Sequence, residues 1–184
     1  FVTTGEKIGE QSYRRTATLM LTKAVSDILG KDEKLVVQFS VHKGYYCEID
    51  GYMPMTQELL DKLQLRMEEL RDADLPIVKR TVRTEEAVAA FKANGMMEKI
   101  NLLKYRRASR VNMYQLEDIS DYYYGYMAPS TGYIARFELI SYREGFVMQM
   151  PSAEAPEIIQ TFRPSEKIFN ILKGEMSIIG PRPA

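Results

Sequence analysis

The sequence predicts an α+β domain, an antiparallel sheet with segregated helices. Two stretches, QSYRRTATLMLTKAVSDILG and QELLDKLQLRMEELRDA, repeat apolar residues at the spacing of a helix buried along one face. The runs KLVVQFSV and YYCEIDG, rich in β-branched and aromatic residues, flank His42-Lys43-Gly44. GYIARFELIS and GFVMQMP likewise flank Tyr142-Arg143-Glu144-Gly145. Connections this short join antiparallel neighbours. After the helices the remainder of the domain is mostly β, so the helices are segregated.

Each element has its own signal. The first helix lines up Tyr13, Ala17, Met20, Leu21, Ala24 and Ile28, and Gly30 stops it. After the first hairpin, Thr56 is an N-cap with Glu58 in the first turn, and Leu59, Leu60, Leu63, Met67 and Leu70 form one stripe. LPIVKRTV reads as a short strand. Thr84 caps a smaller helix, EEAVAAFKANG, and MEKINLLKY reads as another. SRVNMYQL is a strand, and the second hairpin follows. Beyond Pro151, SAEAPEIIQTFRP reads as a linker, SEKIFNIL as a short helix, and KGEMSIIGPRPA has little pattern. The organisation is therefore a lead-in over 1–9, a domain over 10–151, and a linker and tail over 152–184. The opening FVTTGEKIGE reads as the interior of a longer protein.

Composition narrows the function classes. Twenty-five basic residues balance 25 acidic ones, so no global field recruits nucleic acid or an anionic membrane, and neither is an expected partner. No apolar run is long enough to span a bilayer. The single cysteine, Cys47, forbids an internal disulfide or a multi-cysteine metal site and suits a cytoplasmic location. His42, the one histidine, falls in a hairpin turn and reads as structural, so neither a histidine pair for a metal nor a Ser-His couple exists. GxxxxGK[ST] and GxGxxG are both absent. No catalytic residue and no metal ligand is expected.

Two clusters remain. KYRRASR offers Lys104, Arg106, Arg107 and Arg110 to an anion or an RNA backbone, against a plainer reading as a solvated helix-to-strand junction. DYYYGYMAPSTG packs four tyrosines and a methionine against a Pro-Ser-Thr-Gly turn. In a strict strand Tyr122 and Tyr124 would face one way and Tyr123 the other, leaving an aromatic face to be covered.

These residues carry a resemblance. YRRTATLMLTKAV, HKGYYCEID, TQELLDKLQLRMEELRDADLPIVKRTV and DYYYGYMAPSTGYIARFEL occur in the order found in the editing domain of threonyl-tRNA synthetases, shared with alanyl-type editing proteins. In that family a helix carries HxxxH, and a later segment carries CxxxH ahead of a turn like PNTG. The four side chains line the editing pocket and, in the alanyl branch, hold zinc. On this chain they fall at Arg15, Leu19, Tyr123 and Met127, ahead of Pro129-Ser130-Thr131-Gly132. The resemblance thus implies a retained but degenerate pocket, either plugged by its own side chains or holding a small ligand such as an anion on Arg15. Apolar filler at Leu19 and Met127 favours the plug, with Arg15 against tyrosine and Met127 buried.

KGYYCEI, ADLPI, LLKYRR and DYYYGYMAPSTGY followed by GFVMQMP also look like the synthetase-like segment of bacterial uridine kinase-type nucleoside kinases. That resemblance implies a parent whose kinase domain, using ATP and magnesium, phosphorylates a nucleoside, with this segment regulating it or packing on it. This chain itself would need no cofactor. The alternatives are an aminoacyl-tRNA editing or RNA-binding module and, from the tail FNILKGEMSIIGPRP alone, a relative of bacterial sugar-phosphate transferases.

Overall fold

A computed structural model describes residue 3 and residues 5–93 and 95–178. The elements run α1 (Lys7–Leu29), β1 (Leu35–Val41), β2 (Gly44–Ile49), α2 (Gln57–Ala73), β3 (Val78–Arg83) and α3 (Thr84–Ala93). Then come α4 (Met97–Lys104), β4 (Arg110–Leu116), β5 (Ile119–Tyr122), a 3-10 turn (Thr131–Tyr133), β6 (Glu138–Tyr142), β7 (Gly145–Gln149) and α5 (Glu166–Ile178). The class is α+β. Among the described residues all strand pairing is antiparallel, but the strands form two sheets: β1-β2-β7-β6 and β3-β4-β5.

In the first sheet, side-chain alternation decides the layers. Cys47 and Ile49 on β2, with Phe146 and Met148 on β7, face a core filled by α1 and α2. Tyr46 and Val147 face the other way, into a smaller cluster with Phe39 and with Phe169 of α5. Both faces of β2 and β7 are therefore covered, which explains their continuous apolar runs. Residues 152–165 form no helix or strand, yet they carry Phe162 edge-on to Tyr142, at 5.2 Å between ring centres. Phe169 packs against Tyr46 at 5.0 Å. The second sheet packs Val111, Met113 and Tyr122 against Ala87, Phe91, Ile100 and Leu103 of α3 and α4. Its other face meets α1 through Tyr114 and Leu116.

Several local expectations needed revision. Helix α1 begins at Lys7, inside the stretch read as lead-in. Thr84 is the first residue of α3, and its hydroxyl donates to the Ala108 carbonyl at 2.6 Å instead of capping the helix. GYIARFELIS is a strand only over Glu138–Tyr142, because the 3-10 turn occupies its beginning. β5 had no sequence signal; it pairs with β4 through a two-residue turn, Glu117-Asp118, with Glu117 at φ 51°. The tail signature lies partly in α5, and residues 179–184 fall outside the described ones.

That turn answers a charge buried in α1. Lys23 is 4% exposed, and its ammonium lies 2.6 Å from Asp27, 2.6 Å from Asp118 and 3.3 Å from Glu117. Asp27 also accepts from Arg66 of α2 at 2.9 Å, and Lys31 reaches Asp118 at 2.9 Å. Burial opposes the charge on Lys23, but hydrogen bonds to Asp118 and Asp27 outweigh it and raise the pKa. The same contacts, Lys23 first and Lys31 next, hold the Asp118 carboxyl well below the usual range.

Removing Lys23 would leave carboxylates facing one another without their cation. Lys23→Ala is expected to lower unfolding free energy in urea by about 3 kcal/mol, as for other broken buried pairs. Asp118 titrates lower when folded, so its contribution is present above its unfolded pKa of about 3.9 and lost as pH falls below it. Lys23 titrates higher when folded, so its contribution is full below about 10.4 and fades at more alkaline pH. Urea midpoints should therefore fall at both extremes, and both slopes should flatten in Lys23→Ala.

Candidate functional site

Arg15 and Leu19 stand one turn apart on α1, so they project toward the same side. Leu19 is fully buried in the main core. Arg15 is half-buried and reaches the loop after β5. Its Nη1 donates to the Tyr126 carbonyl at 3.1 Å, and its Nη2 to Gln11 Oε1 at 3.5 Å. Two further bonds pin that loop. The Ala128 N–H donates to Thr16 Oγ1 at 2.9 Å, and the Tyr114 hydroxyl donates to the Gly125 carbonyl at 2.7 Å. Gly125 has φ +116°, and a Cβ added there would sit 2.6 Å from Arg15 Nη1. A glycine is what lets the guanidinium lie against the backbone.

The tyrosine run does not continue as a strand, because β5 ends at Tyr122. Tyr122 is buried against α3 and α4. Tyr123 packs on the main core, with the Lys99 ammonium 5.2 Å from its ring centre. Burial raises its phenol well above the ordinary value; Asp121 adds to this and the Thr22 hydroxyl opposes it. Tyr124 and Tyr126 point outward, 71% and 70% exposed, and Arg106 covers Tyr124 at 3.9 Å. Met127 packs on the core but is only half-buried.

Arg15, Leu19, Tyr123 and Met127 thus sit at one junction between α1 and the loop. Arg15 closes it by a different contact from the one expected. It bonds backbone at Tyr126, and among the described residues no tyrosine ring lies under its guanidinium. The set does not fit zinc: Leu19 has no donor atom, Arg15 is a cation, Tyr123 holds its proton, and Met127 offers only a thioether. Among the described residues no three His, Cys, Asp or Glu side chains gather to hold a metal.

The Pro129-Ser130-Thr131-Gly132 turn is built onto the end of α2. Asp74, left-handed at φ 47°, accepts from the Ser130 hydroxyl at 2.5 Å and the Gly132 N–H at 3.1 Å. A Cβ on Gly132 would lie 2.3 Å from that carboxylate. Thr131 is buried; its hydroxyl accepts from Leu75 N–H at 2.8 Å and donates to the Leu70 carbonyl. This clasp orients the loop and brings no reactive group to it. Asp74, Thr16 and Gly125 all escaped the sequence reading. Asp-Leu-Pro after a helix and a lone glycine among tyrosines were the available signals.

The remaining candidates lie elsewhere. Lys104, Arg106, Arg107 and Arg110 are all exposed between α4 and β4. His42 is exposed in the β1–β2 turn, with Nδ1 3.2 Å from Gln149 Nε2. Cys47 is fully buried, and burial pushes its thiol up, so it is a core side chain and not a nucleophile.

Stability measurements can check the closed junction. Leu19→Ala should cost about 2–5 kcal/mol, as for a fully buried side chain. Met127→Ala should cost less, about 1–2 kcal/mol, because that side chain is only partly buried. Gly125→Ala should cost about 1–3 kcal/mol, and Arg15→Ala in the same chain should recover part of that loss by removing the clash.

No protein-family model matches the chain. Its relatives include threonine–tRNA ligases. The Syntrophotalea carbinolica enzyme is 32% identical over 144 residues, covering 76% of this chain and 22% of its own length. Threonine–tRNA ligase 1 of Bacillus subtilis is 33% identical over 141 residues, with the same coverage. That of a Geobacter species is 31% identical over 128 residues, 70% of this chain and 20% of its own. The similarity gives no support to a nucleoside-kinase parent. This chain is homologous to a segment of threonine–tRNA ligases and spans about a fifth of their length.

Proposed function

We propose that the chain is an editing-domain-like segment whose inherited pocket has closed, so that it works by binding or packing within a larger protein and not by hydrolysis. The observation that carries this reading is Arg15 seated on Gly125 and bonded to the Tyr126 carbonyl, with Leu19, one turn along α1, sunk in the core. Hydrolysis of an ester needs a base or an activated water next to the bond. The four positions supply a permanent cation, a hydrocarbon, a phenol held protonated and a thioether.

The similarity to threonine–tRNA ligases favours a ligase-like parent and makes aminoacyl-tRNA editing the second reading. A kinase parent rests only on the resemblance of KGYYCEI, ADLPI, LLKYRR, DYYYGYMAPSTGY and GFVMQMP. It would bring ATP and magnesium in its own domain, and a GxxxxGK[ST] motif downstream in the gene would mark it. No helix among the described residues is long and apolar enough to cross a membrane. A cytoplasmic setting is part of the proposal.

The test is deacylation of mischarged tRNA by the purified 184-residue chain, with metal content measured on the same sample. The expected result is no turnover above blank and no stoichiometric zinc. Turnover that survives repurification would replace this reading with editing. If the Lys104–Arg110 cluster holds RNA, tRNA binding should fall steeply with salt and be lost in Arg106→Gln/Arg107→Gln.

A further inference from the structure

β3 ends its sheet, so among the described residues one side of its backbone has no strand partner. Five of its six residues are exposed and the sixth, Val82, is half-buried. The register with β4 pairs Lys79 with Tyr114, Thr81 with Asn112 and Arg83 with Arg110, all on the face turned away from α3 and α4. Arg83 and Arg110 are therefore cross-strand partners, and like charges paired across strands cost stability. Among the described residues, Lys79, Arg83 and Arg110 have no carboxylate within ion-pair distance. Thr81 and Asn112 satisfy each other at 3.0 Å. The result is an open backbone edge whose flanking side chains are donors and cations.

We infer that β3 accepts an extended acidic polypeptide segment as an added strand, with carboxylates set beside Lys79 and Arg83. The free edge offers the alternating N–H and carbonyl groups that strand addition uses. Lys79 and Arg83 are four residues apart, about 13 Å along a strand, so the partner needs two carboxylates at the same spacing and a small polar residue between them. A second copy of β3 is rejected, because Lys79, Arg80 and Arg83 would meet their own kind. Single-stranded RNA fits less well, since it wants exposed rings to stack on. On this face Tyr114 is buried with its hydroxyl tied to Gly125.

The probe is a fluorescein-labelled peptide with Glu-Val-Thr-Val-Glu at its centre, titrated into the 184-residue chain and followed by anisotropy. The same peptide with lysine for glutamate and a labelled oligoadenylate serve as comparisons. Only the acidic peptide should bind, and binding should weaken roughly tenfold in Lys79→Glu/Arg83→Glu and fall with salt. Both positions are exposed, so the variant should keep its fold, and circular dichroism checks that. Hydrogen exchange on the unmodified chain gives an independent reading: peptide should slow the outward amides of Val78–Arg83. No binding, binding indifferent to the charge reversal, unchanged exchange in β3, or tighter binding of oligoadenylate would each overturn the inference.

Discussion

The buried ammonium of Lys23 is the point on which the arrangement of helices and second sheet depends. A charge with 4% exposure is costly unless it is paired, and three carboxylates from two places in the chain supply the pairing. Asp27 comes from the same helix, so it adds no tertiary information. Glu117 and Asp118 come from the β4–β5 turn, so their contact fixes where the second sheet meets α1. Arg66 bonds Asp27 and draws α2 into the same network. Hydrophobic burial is non-directional; this cluster provides the direction that apolar packing of α1 against Tyr114 and Leu116 cannot.

With α1 registered on the second sheet, the junction below it follows. Thr16 and Arg15 lie about two turns before Lys23 on that helix, and each bonds the loop that leaves β5. At its far end the loop is clasped to α2 by Asp74 and Thr131. Both ends are thus held by backbone-directed hydrogen bonds, while the side chains between them are free to differ. Such a frame can lose its reactive groups and keep its shape. Leu19 illustrates this: a position that could have carried a ligand atom has joined the core without disturbing the helix.

Much of the fold was legible because it rests on periodicity. The two long helices and both hairpins of the first sheet follow from apolar spacing and from short polar turns. What escaped depends on contacts between distant residues. β5 is four residues long, and its turn, Glu117-Asp118, lacks the usual Asn-Gly signature because its acidic side chains serve Lys23. The division into two sheets was invisible because strand order is a long-range property. That α1 meets the loop after β5 was expected from the order of the segments, and Arg15 and Thr16 both bond that loop. How the junction closes was not expected, because that turns on Gly125 adopting a positive φ under Arg15.

Net charge is the observable that concealed most. Equal numbers of acids and bases argue against a global field. Yet the balance is not local. Lys23, Lys31 and Arg66 share Asp27, Glu69, Glu117 and Asp118 around the end of α1, concentrating acid where it is consumed. β3 and the start of β4 keep their cations unmatched by any carboxylate among the described residues. A neutral chain can therefore spend its carboxylates on architecture and leave one sheet edge positive. Within a Debye length of about 8 Å at physiological salt, it is that local excess, and not the total, that an approaching partner meets.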